Sequence, residues 1–491
     1  MSFSGTSHRR PATIAVACIA TAMLVLDISV INTTLPDIAR GLAAGLSGLQ
    51  WMVDAYTLPL AAVVLTAGCL ADRFGRRAAF ALGLVMFTGA SAACGLSGSI
   101  AVLDGARAVQ GAGAAILFAV SLALIAEVTP SPAERAKALA LYGATIGGSF
   151  AAGPFAGGVL TQTLGWRAVF LVNVPPGLAA LWLTLTRVAE SHGPRRSRID
   201  WPGQVTLAAG LAGLVLGLLH ATTAGWAAAP VLISLIAGAL LLAAFTAIEL
   251  RSREPMLPLR LLGQRGFAGT QACVFAVSSS IYAIFLYLSL YLQGTLGLSP
   301  LATGLAYLPG SMLMLAVSAI TPRLAARTGH GPLAAAGLGI ITAALALMLL
   351  NGTRSGWAVP LPGIMLGFAG MGLFNPAISV IALSALPEGQ AGLAAGTYDT
   401  FRQAGIALGT AALGVFIPAS GALGGGRAAA YVSGLHHAEL LAIAIAAAGT
   451  ITAIMLIGRG RTHPPALARP RQVTDGQPAG LEMSQEFASK P

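Results

Sequence analysis

Apolar runs of about 20 residues, the length a helix needs to cross the hydrocarbon core of a bilayer, recur from one end of the chain to the other with short polar stretches between them. The pattern predicts an all-α integral membrane protein with fourteen transmembrane helices, near residues 13–34, 49–69, 78–97, 100–122, 137–161, 166–186, 203–220, 230–250, 267–291, 301–321, 331–351, 358–380, 398–418 and 437–457. The polar stretches differ in charge. Those that follow odd-numbered spans carry only Arg40, Arg167, Arg354 and Arg427, whereas the termini and the other connections hold 22 basic residues, including Arg9, Arg10, Arg73, Arg76, Arg77, Arg135 and Lys137. Cytoplasmic loops hold the excess of Lys and Arg, so the bias predicts a multi-pass cell-membrane protein with both termini in the cytoplasm. Trp51, Trp166, Trp201, Trp226 and Trp357 fall at span ends, where an amphipathic ring prefers to sit.

The segment Gly68–Arg77 is a tight charged turn between two spans, with Asp72 among Arg73, Arg76 and Arg77 and glycine at positions 68 and 75. A weaker copy, Leu324–Gly329, follows Leu70–Gly75 at an offset of 254 residues, and the apolar run near Thr13 recurs near Phe267 at the same offset. That is the signature of a parallel duplication. It predicts a six-helix bundle over 1–190, a linker with an inserted two-helix hairpin over 191–260 and a second six-helix bundle over 261–460. The Pro-rich, polar, aperiodic tail at 461–491 reads as a disordered cytoplasmic segment.

Composition removes several function classes. The chain is 56% hydrophobic and 9% charged, against about 25% charged in soluble domains, so most of its surface faces lipid. The net charge of +11 does not point to nucleic acid, because the basic residues are scattered between apolar runs with no aromatic-interleaved basic face. The two lysines, Lys137 and Lys490, lie in no phosphate-binding loop, which argues against nucleotide as partner or energy source. With no H-E-x-x-H and no nucleophile elbow, a membrane enzyme is disfavoured. Cys18, Cys69, Cys94 and Cys273 are isolated, with no metal-ligand spacing, and read as small core residues. The first apolar run continues past Asp27 to Pro36, which reads as a span and not as a cleaved leader.

Polar side chains inside the spans need explaining, because a charge in lipid costs at least about 2.5 kcal/mol and is paired, wet or functional. Asp27 lies in an apolar span that Asn32 and Pro36 also interrupt, which argues for a face lining a wet cavity; hydration at the interface is the other reading. Asp54, three residues after Trp51, is either a hydrated helix-end acid or part of the site. Arg107 enters the fourth span with Gln110 one turn on, either pairing with Asp104 or facing a cavity to tune a titrating carboxylate. In the fifth span, Gly143 with Gly147 and Gly153 with Gly157 are each four apart, a spacing that admits a neighbouring helix, while Pro154 permits a bend. A moving helix and a static seam both fit. Asp399 and Arg402 read as an intrahelical pair, and His220, His436 and His437 as interfacial residues without partners.

Taken together, the Gly68 turn, the run from Asp27 through Pro36, Arg107-Gln110-Gly111, Gly153-Pro154 with Gly157-Gly158, Trp166–Gly177, Asp200–Gly203 and Ser299–Gly304 resemble the fourteen-span drug:proton antiporter branch of the major facilitator superfamily. Ala326 replaces the acid in the second-half copy of the turn, and Asp399 stands where that family usually has Asn. The resemblance implies multidrug or antibiotic efflux by alternating access, driven by the proton gradient without a cofactor. It implies proton coupling at Asp27, Arg107 and Asp54, and cytoplasmic gating by Gly68, Asp72, Arg73, Gly75, Arg76 and Arg77. It further implies an antiporter helix marked by Gly143, Gly147, Gly153, Pro154, Gly157 and Gly158, and cavity positions at Asn32, Tyr56 and Gln110. The partners are then a small molecule, protons and the lipid bilayer. A proton-coupled importer, or an exporter of another metabolite, is the alternative, since fold does not fix direction.

Overall fold

Inside a bilayer every backbone N–H and C=O must find its partner within its own segment, so apolar stretches of this length become helices. The computed structural model describes residues 6–129, 131–192, 200–252, 255–257, 259–384, 391–418 and 428–457, and among these there is no strand. The tail assigned to 461–491, the arginines between 193 and 199 and the segment around Gly389 lie outside the described residues.

The helices are α1 (Thr6–Leu42), α2 (Leu46–Phe74), α3 (Arg76–Gly95), α4 (Ile100–Val128), α5 (Pro132–Leu164), α6 (Ala168–Arg187), α7 (Trp201–Ala224), α8 (Ala229–Arg251), α9 (Arg265–Thr295), α10 (Pro300–Thr328), α11 (His330–Met348), α12 (Leu361–Ser384), α13 (Ala391–Gly414) and α14 (Ala428–Ile457). Each coincides with one of the apolar runs. Twelve of them are long and apolar enough to cross a membrane; α5 and α13 are long enough but are not among the twelve. These two carry Glu134, Arg135 and Lys137, and Asp399 and Arg402, and both lie where the two sets of six helices meet.

The seam is formed mainly by α1 with α9, α2 with α13, and α5 with α10. Gln293 Nε2 donates to the Thr33 carbonyl at 2.9 Å, Ser289 Oγ to that of Asn32, and Thr400 Oγ1 to that of Ala61 at 3.2 Å. Between α2 and α9, Gln50 Nε2 donates to the Tyr287 hydroxyl at 2.8 Å. The α7–α8 hairpin rests on α2 and α13 through α7 alone, with Thr66 Oγ1 donating to Gln204 Oε1. α8 leaves Ile233, Ile236 and Leu240 exposed, as a lipid-facing helix does.

Two glycine pairs predict two close-packed faces on α5, and one is present. A Cβ on Gly153 would fall 1.7 Å from Ser29 Oγ, and one on Gly157 would fall 2.6 Å from the Val30 carbonyl, so both admit the α1 backbone. Gly158 does the same for α10, 2.5 Å from the Pro300 carbonyl, and Gly304 returns the contact against the Pro154 carbonyl at 2.5 Å. The first pair does not form a close approach. A Cβ on Gly143 would meet nothing within 4 Å, and the nearest atom to one on Gly147 is a Leu315 methyl at 3.6 Å, because this end of α5 packs on α1 and α4 through Ala138 and Tyr142 and leaves Gly143 exposed. Pro154 lies inside an unbroken helix.

Gly157→Leu places a branched side chain against backbone that has no room to yield, where overpacking costs about 1–3 kcal/mol or more. The purified variant should melt well below wild type in the same detergent, whereas Gly143→Leu should melt with it; equal melting of all three proteins removes the seam.

Candidate functional site

Helices α1, α2, α4 and α6 of the first six meet around one carboxylate. Gly111 brings α4 onto α2, where a Cβ would sit 2.2 Å from the Tyr56 carbonyl, and Gly113 brings α4 onto α3 against the Phe87 nitrogen at 2.8 Å. This close packing holds Arg107, one turn earlier on α4, with its guanidinium 4.2 Å from the centre of the Tyr56 ring. Its Nη1 donates to Asp27 Oδ2 at 2.5 Å and to Gln110 Oε1 at 2.8 Å, and its Nε donates to the Met52 carbonyl at 3.3 Å. Asp27 Oδ1 accepts from Gln110 Nε2 at 2.9 Å and from Asn173 Nδ2 at 3.1 Å. Gln110 Nε2 is also 2.8 Å from Ser91 Oγ on α3. Asp27 is 1% exposed and Arg107 2%, which overturns both the hydrated reading of Asp27 and the Asp104 pairing of Arg107: the arginine turns inward to the fully buried acid.

A carboxylate that takes N–H groups on both oxygens, one from a guanidinium, is satisfied as an anion and supplies no hydrogen of its own. The aromatic wall matters too. Tyr56 and, at 6.0 Å, Phe170 present ring faces to the guanidinium and keep water from it.

On the seam side of this network lies an enclosed cavity of about 50 Å³, lined by Asn32, Tyr56 and Arg107 from the first six helices and by Tyr282 and Phe285 from α9. Phe150 stands edge-on to Tyr282 at 5.6 Å, and Phe285 packs on Phe368 at 5.2 Å, so the wall opposite the charged network is aromatic and uncharged. Short π-helical turns at Ser278–Tyr282 and Tyr291–Thr295 bracket this stretch of α9. Such turns concentrate at functional sites. Of the three cavity candidates, Asn32 and Tyr56 line the space. Gln110 does not, since its amide is fully committed behind Arg107.

Asp54 stands apart. It lies two turns inside α2, fully buried, with neither carboxylate oxygen bonded, so the hydrated helix-end reading fails. One turn away, Gln50 borders a cleft of about 460 Å³ between α2, α13 and α14.

The charged turn is bonded within the first six helices. Asp72 pairs with Arg76 at 2.9 Å, Arg76 also pairs with Glu127 at 2.9 Å, and Arg77 Nη2 donates to the Leu185 carbonyl at 2.6 Å. Arg73 lies against Phe74, its guanidinium 5.5 Å from the ring centre. Gly75 has φ +108°, a conformation that favours glycine, and a Cβ there would meet the Glu190 carboxylate at 2.6 Å. Gly68 borders open space. Elsewhere, Asp399 pairs with Arg402 at 2.8 Å as the spacing predicts. The two neighbouring histidines have partners after all: His436 Nε2 is 2.7 Å from the Asn351 carbonyl, and His437 Nδ1 2.7 Å from that of Ser433.

Sequence reasoning omits three residues that the fold recruits. Asn173 and Ser91 complete the shell of Asp27 and Gln110, and Glu190 binds the backbone nitrogens of Arg77 and Ala78 at the start of α3. The lone Asn before Pro175-Pro176 in an apolar run is a signal for the first; nothing local marks Ser91.

The description "Major Facilitator Superfamily" belongs to the family profile that matches residues 17–410. Over 397 residues the chain is 36% identical to the multidrug resistance protein Stp of Mycobacterium tuberculosis, covering 81% of this chain and 74% of that one. Over 455 residues it is 35% identical to the puromycin resistance protein pur8 of Streptomyces alboniger, covering 90% and 89%. A D-xylose-proton symporter superposes with a TM-score of 0.59 at 16% identity, covering 88% of this chain and 96% of that one, which is a likeness of fold.

Removing one partner of a buried ion pair costs about 3–5 kcal/mol because the other is left uncompensated. Arg107→Met should therefore destabilise the purified protein strongly, and Asp27→Asn combined with it should recover much of the loss. Additive effects on melting would mean that the two residues are not energetically coupled.

Proposed function

We propose, because this chain belongs to the Major Facilitator Superfamily, that it is a proton-driven exporter of lipophilic or cationic drugs that spans the membrane fourteen times with both termini in the cytoplasm. It is a multi-pass membrane transporter and not an enzyme. The observation that carries the finer reading is the juxtaposition of a buried Asp27–Arg107 pair with an enclosed aromatic cavity at the seam between the two sets of six helices. Aromatic faces bind apolar and cationic groups, and the resistance proteins similar to this chain supply the drug class. Orientation rests on the arginine bias of the connections.

In this reading the two sets of six helices rock about the cavity. A carboxylate removed from water holds a proton more readily, and a guanidinium brought against it reverses that preference. With Arg107 on Asp27 the proton has left. When the halves tilt and the α1–α4 spacing changes, Asp27 takes a proton from the outer side; on return Arg107 and the arriving cationic drug displace it to the cytoplasm. The Asp27 shell supplies the stabilisation that makes the return favourable, because Gln110 and Asn173 donate best to the anion. Asp54, lying beside the inter-half contact of Gln50 and Tyr287, assists cation recognition.

The Gly68–Arg77 turn acts as the cytoplasmic latch. A latch serves transport only if its strength differs between states, and the pairs around Arg76 are partly exposed, worth about 1 kcal/mol or less to folding.

Inside-out vesicles containing Asp27→Asn should lose drug accumulation driven by an imposed pH gradient while retaining drug binding to the detergent-purified protein. Proton-driven accumulation at the wild-type rate would move the coupling site elsewhere. Asp72→Asn should slow transport at unchanged melting temperature and membrane insertion; efflux at the wild-type rate rules the latch out.

A further inference from the structure

Among the described residues two fully buried acids have no bonded oxygen, and one of them, Glu439 on α14, belongs to neither the Asp27 network nor the charged turn. It is 0% exposed, and His436 one turn earlier on α14 links it to a second residue with unmet polar groups. The Asn351 side chain, in the α11–α12 connection, is 1% exposed with both its nitrogen and its oxygen unbonded. His436, one turn before Glu439 and half-buried, reaches the Asn351 carbonyl with Nε2 at 2.7 Å. Because a carbonyl only accepts, Nε2 carries the hydrogen and Nδ1 is left as a free acceptor. Tyr291 on α9 donates to the adjacent Gly352 carbonyl at 2.8 Å.

We propose that Glu439 is a second proton-binding site, in the second six-helix set, loaded through Asn351 and His436 from the end of the molecule where α14 begins. An unpaired carboxylate, a carboxamide with all its hydrogen-bonding groups unspent and a histidine bonded to that residue's carbonyl are the polar partners of which a bridging water takes two to four. The step is simple: a hydronium ion delivers its proton to a Glu439 oxygen, forming the O–H bond and leaving water, and release runs backwards.

Among the described residues no arginine or lysine pairs with that carboxyl. The ionisable groups nearest the carboxyl are Tyr291 on α9 and Tyr431 and His436 on α14 itself. α12 contains no ionisable residue, that of α11 is His330 at its far end, and Asp399 and Arg402 lie in the opposite half of α13. Arg354 in the connection is exposed. Asp27 is held against a fixed guanidinium, whereas among the described residues no guanidinium pairs with Glu439, so the two sites load under different conditions. Its place in transport rests on the proton-driven reading above; its titration does not.

Infrared difference spectroscopy of the protein in lipid, stepped between two pH values, reads the C=O stretch of protonated carboxyls without any transported drug. Glu439→Gln should lose one component of that band, and Asp27→Asn should retain it. Glu439→Asp, which keeps a carboxyl on a shorter stem, should shift the component and serves if the glutamine variant fails to fold. His436→Phe should keep the component but slow its appearance after a pH jump. Spectra of Glu439→Gln or Glu439→Asp that superimpose on wild type overturn the assignment. Protons moved per drug in vesicles should then fall in Glu439→Gln while exchange persists. If the infrared component is lost as expected but no drug moves in any variant, the exporter reading fails and the proton site stands.

Discussion

A guanidinium and a carboxylate held together away from water set the terms for the first six helices. Each ion alone would cost several kcal/mol to bury, and their attraction repays that only when every remaining lone pair and N–H is met. Here most are: Arg107 spends three of its five N–H groups on Asp27, Gln110 and Met52, and Asp27 fills its oxygens from Arg107, Gln110 and Asn173. Four helices, α1, α2, α4 and α6, are thus tied to one point. Separating α1 from α4 leaves two charges unpaired, whereas moving α2 or α6 gives up only a hydrogen bond from or to a neutral group.

Such convergence needs backbones closer than ordinary side chains permit, and glycine provides the space where it is used. Gly111 against Tyr56 and Gly113 against Phe87 bring α4 into contact with two neighbours; Gly153 and Gly157 do the same for α5 on α1, the helix that carries Asp27. On its other side α5 meets α10 through Gly158 and Gly304. The helix that touches both halves therefore packs directly against the one bearing the buried acid. A change at the seam reaches Asp27 through a single layer of backbone contact, with little compliant side chain between to absorb it.

The helices are legible in the sequence because lipid imposes one rule on each apolar run, and that rule is local. Asp27, Arg107 and Gln110 stand out for the same reason: a polar group in such a run must have a cause. Their partnership is not local. Asp27 and Arg107 are 80 residues apart, and Asp27 and Asn173 146 apart, so no spacing rule joins them. Asp104, at helical spacing from Arg107, looks the better partner on paper and loses because the fully buried Asp27 carboxylate would otherwise be left uncompensated, whereas Asp104 is only half-buried. Glycine spacing has the same limit. Gly143 and Gly147 repeat the interval of Gly153 and Gly157, yet whether a neighbour comes close depends on where α5 runs in space.

The parallel copy of six helices leads one to expect a copy of the site, and the second set has none. Where the first carries Asp27 and Arg107, the second faces the cavity with Tyr282 and Phe285 backed by Phe368, and the copied turn has Ala326 in place of its acid. The fold tolerates this because duplication preserves helix packing, which depends on volume and small residues, while charge is free to diverge between halves. A cavity with one ionic wall and one aromatic wall has a consequence for what it holds. The charge that the cavity meets is the Arg107 guanidinium, with Asp27 behind it, so the first set of helices presents hydrogen-bond donors to the space and the second presents aromatic faces. The asymmetry between the halves, more than either half alone, sets the chemistry of the cavity wall.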